Sequence, residues 1–251
     1  MPVNPELLEL SVQKCYAQFL DYFHVISKFS KFSLSFWEGK TDWDSIVKIE
    51  DSSNRHYSKN VLEIEWQCTK NTPSTGKLRF FLALYLSSKD LERCGDYLYS
   101  ICKLTNKDKK KELRRIVLNS ELWSLLLSYF RSIYSLFRSS TGKIEQEAYQ
   151  EILSQKSFMH SQLSKIGNSL SEQLLSLRGL DLLSEIRSSD ADSLKPIEEL
   201  LDSFRLLQLL LVKIDRFLDH VFNIVENFYY IKNQEIGLSL QELLGERHLS
   251  D

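Results

Sequence analysis

The chain has 251 residues, of which 43% are hydrophobic and 26% charged, the usage of a packed globular protein rather than a disordered one. Eight glycines and four prolines are too few for collagenous, linker-rich or turn-dense all-β architectures, and a net charge of −2 excludes wholesale attraction to nucleic acid. The start, Met1-Pro2-Val3-Asn4-Pro5-Glu6, lacks the features of a signal or transit peptide, and no apolar run approaches the ~20 residues of a membrane span. The expectation is a soluble, intracellular protein.

The first helix is predicted over 4–30. Asn4 is a good N-cap, Pro5 suits the first turn, and Glu6 and Glu9 face the positive end of the helix dipole. Leu8, Val12, Cys15, Phe19, Tyr22, Ile26 and Phe29 follow at alternating spacings of four and three, and Tyr16, Leu20 and Phe23 widen the face.

Residues 31–87 read differently. Gly39-Lys40-Thr41-Asp42 is turn-like. Leu62, Ile64, Trp66 and Cys68 alternate with polar residues, as do Leu78, Phe80, Leu82, Leu84 and Leu86 after the loop-like Asn71–Gly76. The pattern predicts a small β-hairpin or meander, with Glu65 opposite Arg79 and Gln67 opposite Lys77. Leu78, Phe81, Leu82, Tyr85 and Leu86 also fit a helix, and in that case the chain is all-α.

No proline occurs between Pro73 and Pro196, which permits long helices. One is predicted from Ser88 or Asp90, one from about 108 to 139 and one from about 143 to 178, with Gly179 as terminator and a short segment to Ile186. The last and longest runs from Pro196 to about Lys232. Ile197, Leu200, Phe204, Leu207, Leu211, Ile214, Leu218, Val221, Val225 and Phe228 repeat at three and four without a break. Leu210, Phe217, Ile224 and Ile231 form a second stripe, which favours a multi-helix bundle and leaves room for a homodimer seam. The fold class is therefore mainly α, one helical domain over 1–233 with a tail at 234–251. Within the tail, Ser239-Leu240-Gln241-Glu242 is a capping box preceding Leu243 and Leu244. This short helix either docks on its own bundle or is offered to another protein's groove.

The motifs of nucleotide, hydrolase and metalloprotease chemistry are missing. Cys15, Cys68, Cys94 and Cys102 and the five histidines lack close metal-ligand spacing, so neither a metal nor a cofactor is expected. Asp215 and Asp219 read as a solvated face, and His220 points about 100° away from Asp219. Residues 103–138 carry nine Lys or Arg against three acids, whereas 181–251 carry seven against fourteen. The basic run contains Lys107, Lys109, Lys110, Lys111, Arg114 and Arg115. It reads as a solvated helix start, a contact for acidic partners or a nuclear-localisation patch; direct nucleic-acid binding is the weakest reading because no aromatic interleaves it.

These features favour a non-catalytic adaptor or scaffold that bridges other proteins through short helical peptides, in a nuclear setting of telomere-bridging or kinetochore type. The alternatives are an enzyme with a non-motif site in the bundle and a nucleic-acid binder using 103–115. The candidate partner-binding residues are Val12, Tyr16, Phe19, Leu20 and Phe23 on the first helix, with core packing as the competing role, and Leu240, Leu243 and Leu244 in the tail.

Overall fold

The structure, a computed structural model, describes residues 5–71, 73–106, 111–140, 142–186 and 195–231. Among them every regular element is helical: α1 (Pro5–Trp37), α2 (Trp43–Asn71), α3 (Thr75–Asn106), α4 (Lys111–Asn119), α5 (Leu122–Ser139), α6 (Gln146–Ile186) and α7 (Lys195–Glu226), which ends in a π-helical turn over Asn227–Ile231.

The hairpin expected within 31–87 is replaced by the end of α1, all of α2 and the first half of α3, so the all-α alternative is the one that forms. The reason lies in where polar residues sit. Ser53, Asn60 and Gln67 are buried along α2 together with Ile46 and Ile64, while Leu62 and Trp66 face outward at 65% and 58% exposure. Swapping polar and apolar residues between the two faces erases the 3.6-residue stripe and leaves an accidental alternation. In α3, Phe80, Phe81, Ala83, Leu84, Ser87 and Ser88 are buried and Leu78, Leu82 and Leu86 are exposed, the distribution of a helix. The turn at 38–42 forms as read. Gly39 takes φ +78°, and Asp42 Oδ1 accepts the Ser45 N–H at 2.8 Å to start α2. That bond to Ser45 holds the Asp42 carboxyl below its ordinary range.

Two other boundaries differ. The helix expected over 108–139 is broken between α4 and α5, where the Ser120 hydroxyl donates to the Val117 carbonyl at 2.7 Å and accepts the Leu122 N–H at 3.3 Å. A serine that offers the backbone these local partners competes with helix continuation. Conversely, α6 passes through Gly179 to Ile186, because a single glycine costs a helix only ~1 kcal/mol.

Helices α1, α2 and α3 pack on one another as one group, and α5, α6 and α7 as another, with α4 against α5 and α6. The groups meet where α7 packs along α3 and α5 packs along α1. There α7 runs antiparallel to α3: Phe217 sits by Cys94, His220 by Asp90, Asn227 by Ser87 and Phe228 by Phe80. The π turn widens the backbone so that three consecutive side chains face inward. Asn227 reaches Asp90, Phe228 enters the aromatic core, and Tyr229 stacks on Tyr149 with ring centroids 4.0 Å apart.

Both stripes of α7 are spent inside the chain. Leu207, Ile214, Leu218, Val221, Val225 and Phe228 are buried, and so are Leu210, Phe217 and Ile224 of the second stripe. The seam that suggested a dimer therefore faces α3, α5 and α6. Leu211 is only half-buried. Truncating Leu218 to Ala should cost about 2–5 kcal/mol in urea unfolding, and Leu211→Ala measurably less. Equal losses would contradict the orientation of α7.

Candidate protein-docking groove

Next to Phe228, α1 and α3 border a recess. It forms a groove of about 620 Å³ lined by Val12, Gln13, Tyr16, Ala17 and Leu20 of α1 and by Gly76, Lys77 and Phe80 of α3. Its walls are mainly apolar, and an ion pair between Lys77 and Glu9 spans it at the rim. Its floor is rigid. The Tyr16 hydroxyl lies 2.6 Å from the Phe137 carbonyl and 2.9 Å from that of Ser140, donating to the C-terminal end of α5. The Tyr16 ring packs 5.9 Å from Phe80 and 6.4 Å from Phe228, and burial pushes its phenol up to about 12. Gly142 closes the floor with φ +76°, and a Cβ there would come within 2.9 Å of Phe80 and 3.0 Å of Phe228. Only glycine combines that backbone with that approach.

The candidate residues of α1 thus divide. Val12, Tyr16 and Leu20 line the groove, whereas Phe19 and Phe23 are fully buried. Phe19 packs against Phe137 and Phe228, and Phe23 against Phe130 and Tyr134, so these two hold α1 to the second group of helices and are not a surface. Leu240, Leu243 and Leu244 lie outside the described residues, as do Lys107, Lys109 and Lys110; the described part of Lys111 is the backbone that opens α4. Arg115 is exposed. Arg114 is spoken for within the chain: its guanidinium donates to the carbonyls of Phe36 and Trp37, satisfying the end of α1, and lies 5.8 Å from the Phe36 ring.

Sequence reasoning missed two polar clusters that tie helices together. Asp90 on α3 receives His220 Nδ1 at 2.8 Å, Asn227 Nδ2 at 2.8 Å and Asn223 Nδ2 at 3.3 Å, all from α7. The residues at 220, 223 and 227 recur at helical spacing, but their shared partner 130 residues earlier left no local signal. On the opposite flank His160 of α6 sits between Asp215, at 2.7 Å, and Asp219, at 3.5 Å, with Lys156 Nζ 3.2 Å from Asp219 and 4.4 Å from the Phe222 ring. Lys156 is a charged residue between the buried Ile152 and Met159 of α6, and that interruption was the one local sign of this cluster. Asp219 and His220 do face different neighbours, as their helical offset requires.

No group of three His, Cys, Asp or Glu able to hold a metal occurs among the described residues. Burial raises the thiols of Cys15 and Cys102 to about 12 and that of Cys94 well above its ordinary value, which suppresses the thiolate. Two outcomes check this account. Asp90→Ala should lower stability by about 1–3 kcal/mol, because three donors lose their acceptor. Native protein treated with iodoacetamide at pH 8 should be alkylated at no more than Cys68, the half-buried cysteine, and at all four after unfolding.

No protein-family model matches the sequence. The chain is 26% identical over 242 residues to the "Uncharacterized protein MG409 homolog" of Mycoplasma pneumoniae, covering 93% of this chain and 98% of that protein. It is 24% identical over 246 residues to "Uncharacterized protein MG409" of Mycoplasma genitalium, with the same coverage. These relatives are bacterial, which overturns the nuclear setting and the telomere or kinetochore roles read from the basic run. No helix among the described residues is long and apolar enough to cross a membrane. The structure superposes on the phosphate transport system regulatory protein PhoU from Streptococcus pneumoniae with a TM-score of 0.63 at 18% identity, covering 91% of this chain and 98% of that one. The all-helical fold is thus shared with PhoU over 91% of this chain.

Proposed function

We propose that this chain is a non-catalytic regulatory protein that works by binding other proteins, and that the system it regulates is phosphate transport. The observation that carries the reading is the correspondence of its helices, over 91% of this chain, with a protein whose title names it a phosphate transport system regulator. At 18% identity that likeness speaks for the fold, so the function rests equally on the groove and on the buried state of the thiols. The reading takes residues 1–233 as one unit, in keeping with the continuous core from Leu8 to Tyr229.

The docking surface in this reading is the α1–α3 groove. Val12 and Leu20 are half-buried and Ala17 is exposed, so a partner's apolar side chains can cover them without unfolding anything. A groove between two helices takes a short amphipathic helix well, since ridges at i and i+3 or i+4 interdigitate with its walls.

The test is affinity purification of the tagged chain from its own cells, beside Ala17→Arg and Val12→Glu variants whose melting curves are recorded first. Substitution at the exposed Ala17 should leave folding intact and weaken partner binding about tenfold or more, as expected where a central anchor is blocked. Proteins of a phosphate transporter should be retained by the parent chain and lost from the variants. An identical set of partners with all three chains, or partners unrelated to phosphate uptake, would overturn the reading.

A further inference from the structure

A second cleft, of about 490 Å³, opens between α1 and α5. Tyr16 of α1 donates to the carbonyls of Phe137 and Ser140, and Phe23 packs 5.1 Å from Phe130, so the two helices run antiparallel. In that register His24 stands across from Tyr134, whose hydroxyl lies 3.4 Å from its Nδ1. Lys31, two turns further along α1, falls at the Arg131 end of the cleft, and Arg138 stands at the other end.

Charge is segregated here. The chain as a whole has more acids than bases, 34 against 32. Yet from Tyr22 to Trp37 α1 carries His24, Lys28 and Lys31 and no Asp or Glu, and the only charged residues of α5 are Arg131 and Arg138. Lys31, Arg131 and Arg138 are exposed, and none of them is in an ion pair among the described residues. Elsewhere cations stand beside carboxylates, as Lys14 does by Glu63 and Lys156 by Asp219. Three uncompensated cations around one concavity focus a positive field into it.

The remaining groups are hydrogen-bond donors. The hydroxyls of Ser27 and Ser135 line the cleft and bond to nothing else among the described residues. Arg138 lies 5.9 Å from the Tyr134 ring, which positions its guanidinium at the wall. No lining residue is an acid or an aliphatic hydrophobe. A peptide or helix partner needs apolar anchors, and this cleft has none, whereas its volume suits a small molecule. Guanidinium and hydroxyl donors match phosphate oxygens, the arginines in bidentate fashion. Arg131 and Arg138 are seven residues apart, about 10 Å along the helix. A single phosphate bridges that span poorly, and a row of phosphoryl groups meets both.

We propose that the α1–α5 cleft binds a small anion carrying several phosphoryl groups in a row, held by Lys31, Arg131 and Arg138 with Ser27 and Ser135 as neutral donors. The site is separate from the α1–α3 groove and does not rest on the docking reading. Two sources present this chemistry: inorganic polyphosphate and the phosphate chain of a nucleotide.

Isothermal titration calorimetry of the full chain tests this, with tripolyphosphate as the probe in magnesium-free buffer at ~0.15 M salt. A single molecule should bind per chain, about tenfold or more tighter than orthophosphate. ATP binding at least as tightly as tripolyphosphate points to a nucleotide as the source, and weaker ATP binding to the inorganic chain. Arg131→Gln and Arg138→Gln, introduced together, should weaken binding about tenfold or more. Lys48→Gln with Arg55→Gln, which removes the same charge from the exposed side of α2, should leave it within about twofold. In the parent chain, amide shifts on adding tripolyphosphate should centre on Ser27, Lys31, Arg131 and Ser135, a readout that needs no variant. No binding of tripolyphosphate, equal losses in the two paired variants, or shifts centred elsewhere would overturn the proposal. Equal affinity for a tetraglutamate peptide would overturn it too, by showing that the cleft answers to charge alone.

Discussion

Phe228 touches rings from three other helices: Phe19 of α1 at 5.6 Å, Phe80 of α3 at 5.9 Å and Phe137 of α5 at 4.8 Å. It belongs to a fourth element, the π turn that ends α7, so one side chain joins both helix groups. Edge-on and tilted aromatic pairs of this kind add to the free energy of burial itself, and here they share one centre. The position of that centre depends on the π turn. An ordinary α-helical turn would not turn Asn227, Phe228 and Tyr229 inward together, and the bond from Asn227 to Asp90 would be lost along with the Tyr229–Tyr149 stack.

The same joint determines where the surface is open. On one side of Phe228, α7 lies along α3 and is joined to it by the Asp90 cluster. On the other side, α1 and α3 border the groove. Tyr16 marks the border, with its ring against Phe228 and its hydroxyl on the carbonyls that end α5.

The sequence made some of this legible. α7 was readable because the positions of its main stripe are all apolar and alternate by three and four for nine intervals, a pattern that strands cannot produce. α2 was not, because Ser53, Asn60 and Gln67 occupy its buried positions while Leu62 and Trp66 lie outside. The wide face of α1 was visible, but not its division: nothing local distinguishes Phe19 and Phe23, which pack on α5, from Val12 and Leu20, which line the groove. Arg114 looked like part of a cationic patch because the carbonyls it caps lie 77 and 78 residues away. Each miss is a tertiary partner overriding a local pattern.

The central claim is that this fold acts through the α1–α3 groove rather than through a reaction centre. Amide chemical-shift mapping of the labelled full-length chain against a purified partner tests it most directly. The account predicts that the largest shifts fall on Val12, Gln13, Ala17, Leu20, Gly76 and Lys77, with the amides around His160, Asp215 and Asp219 unmoved. Shifts centred on that second cluster, with the groove residues silent, would contradict it.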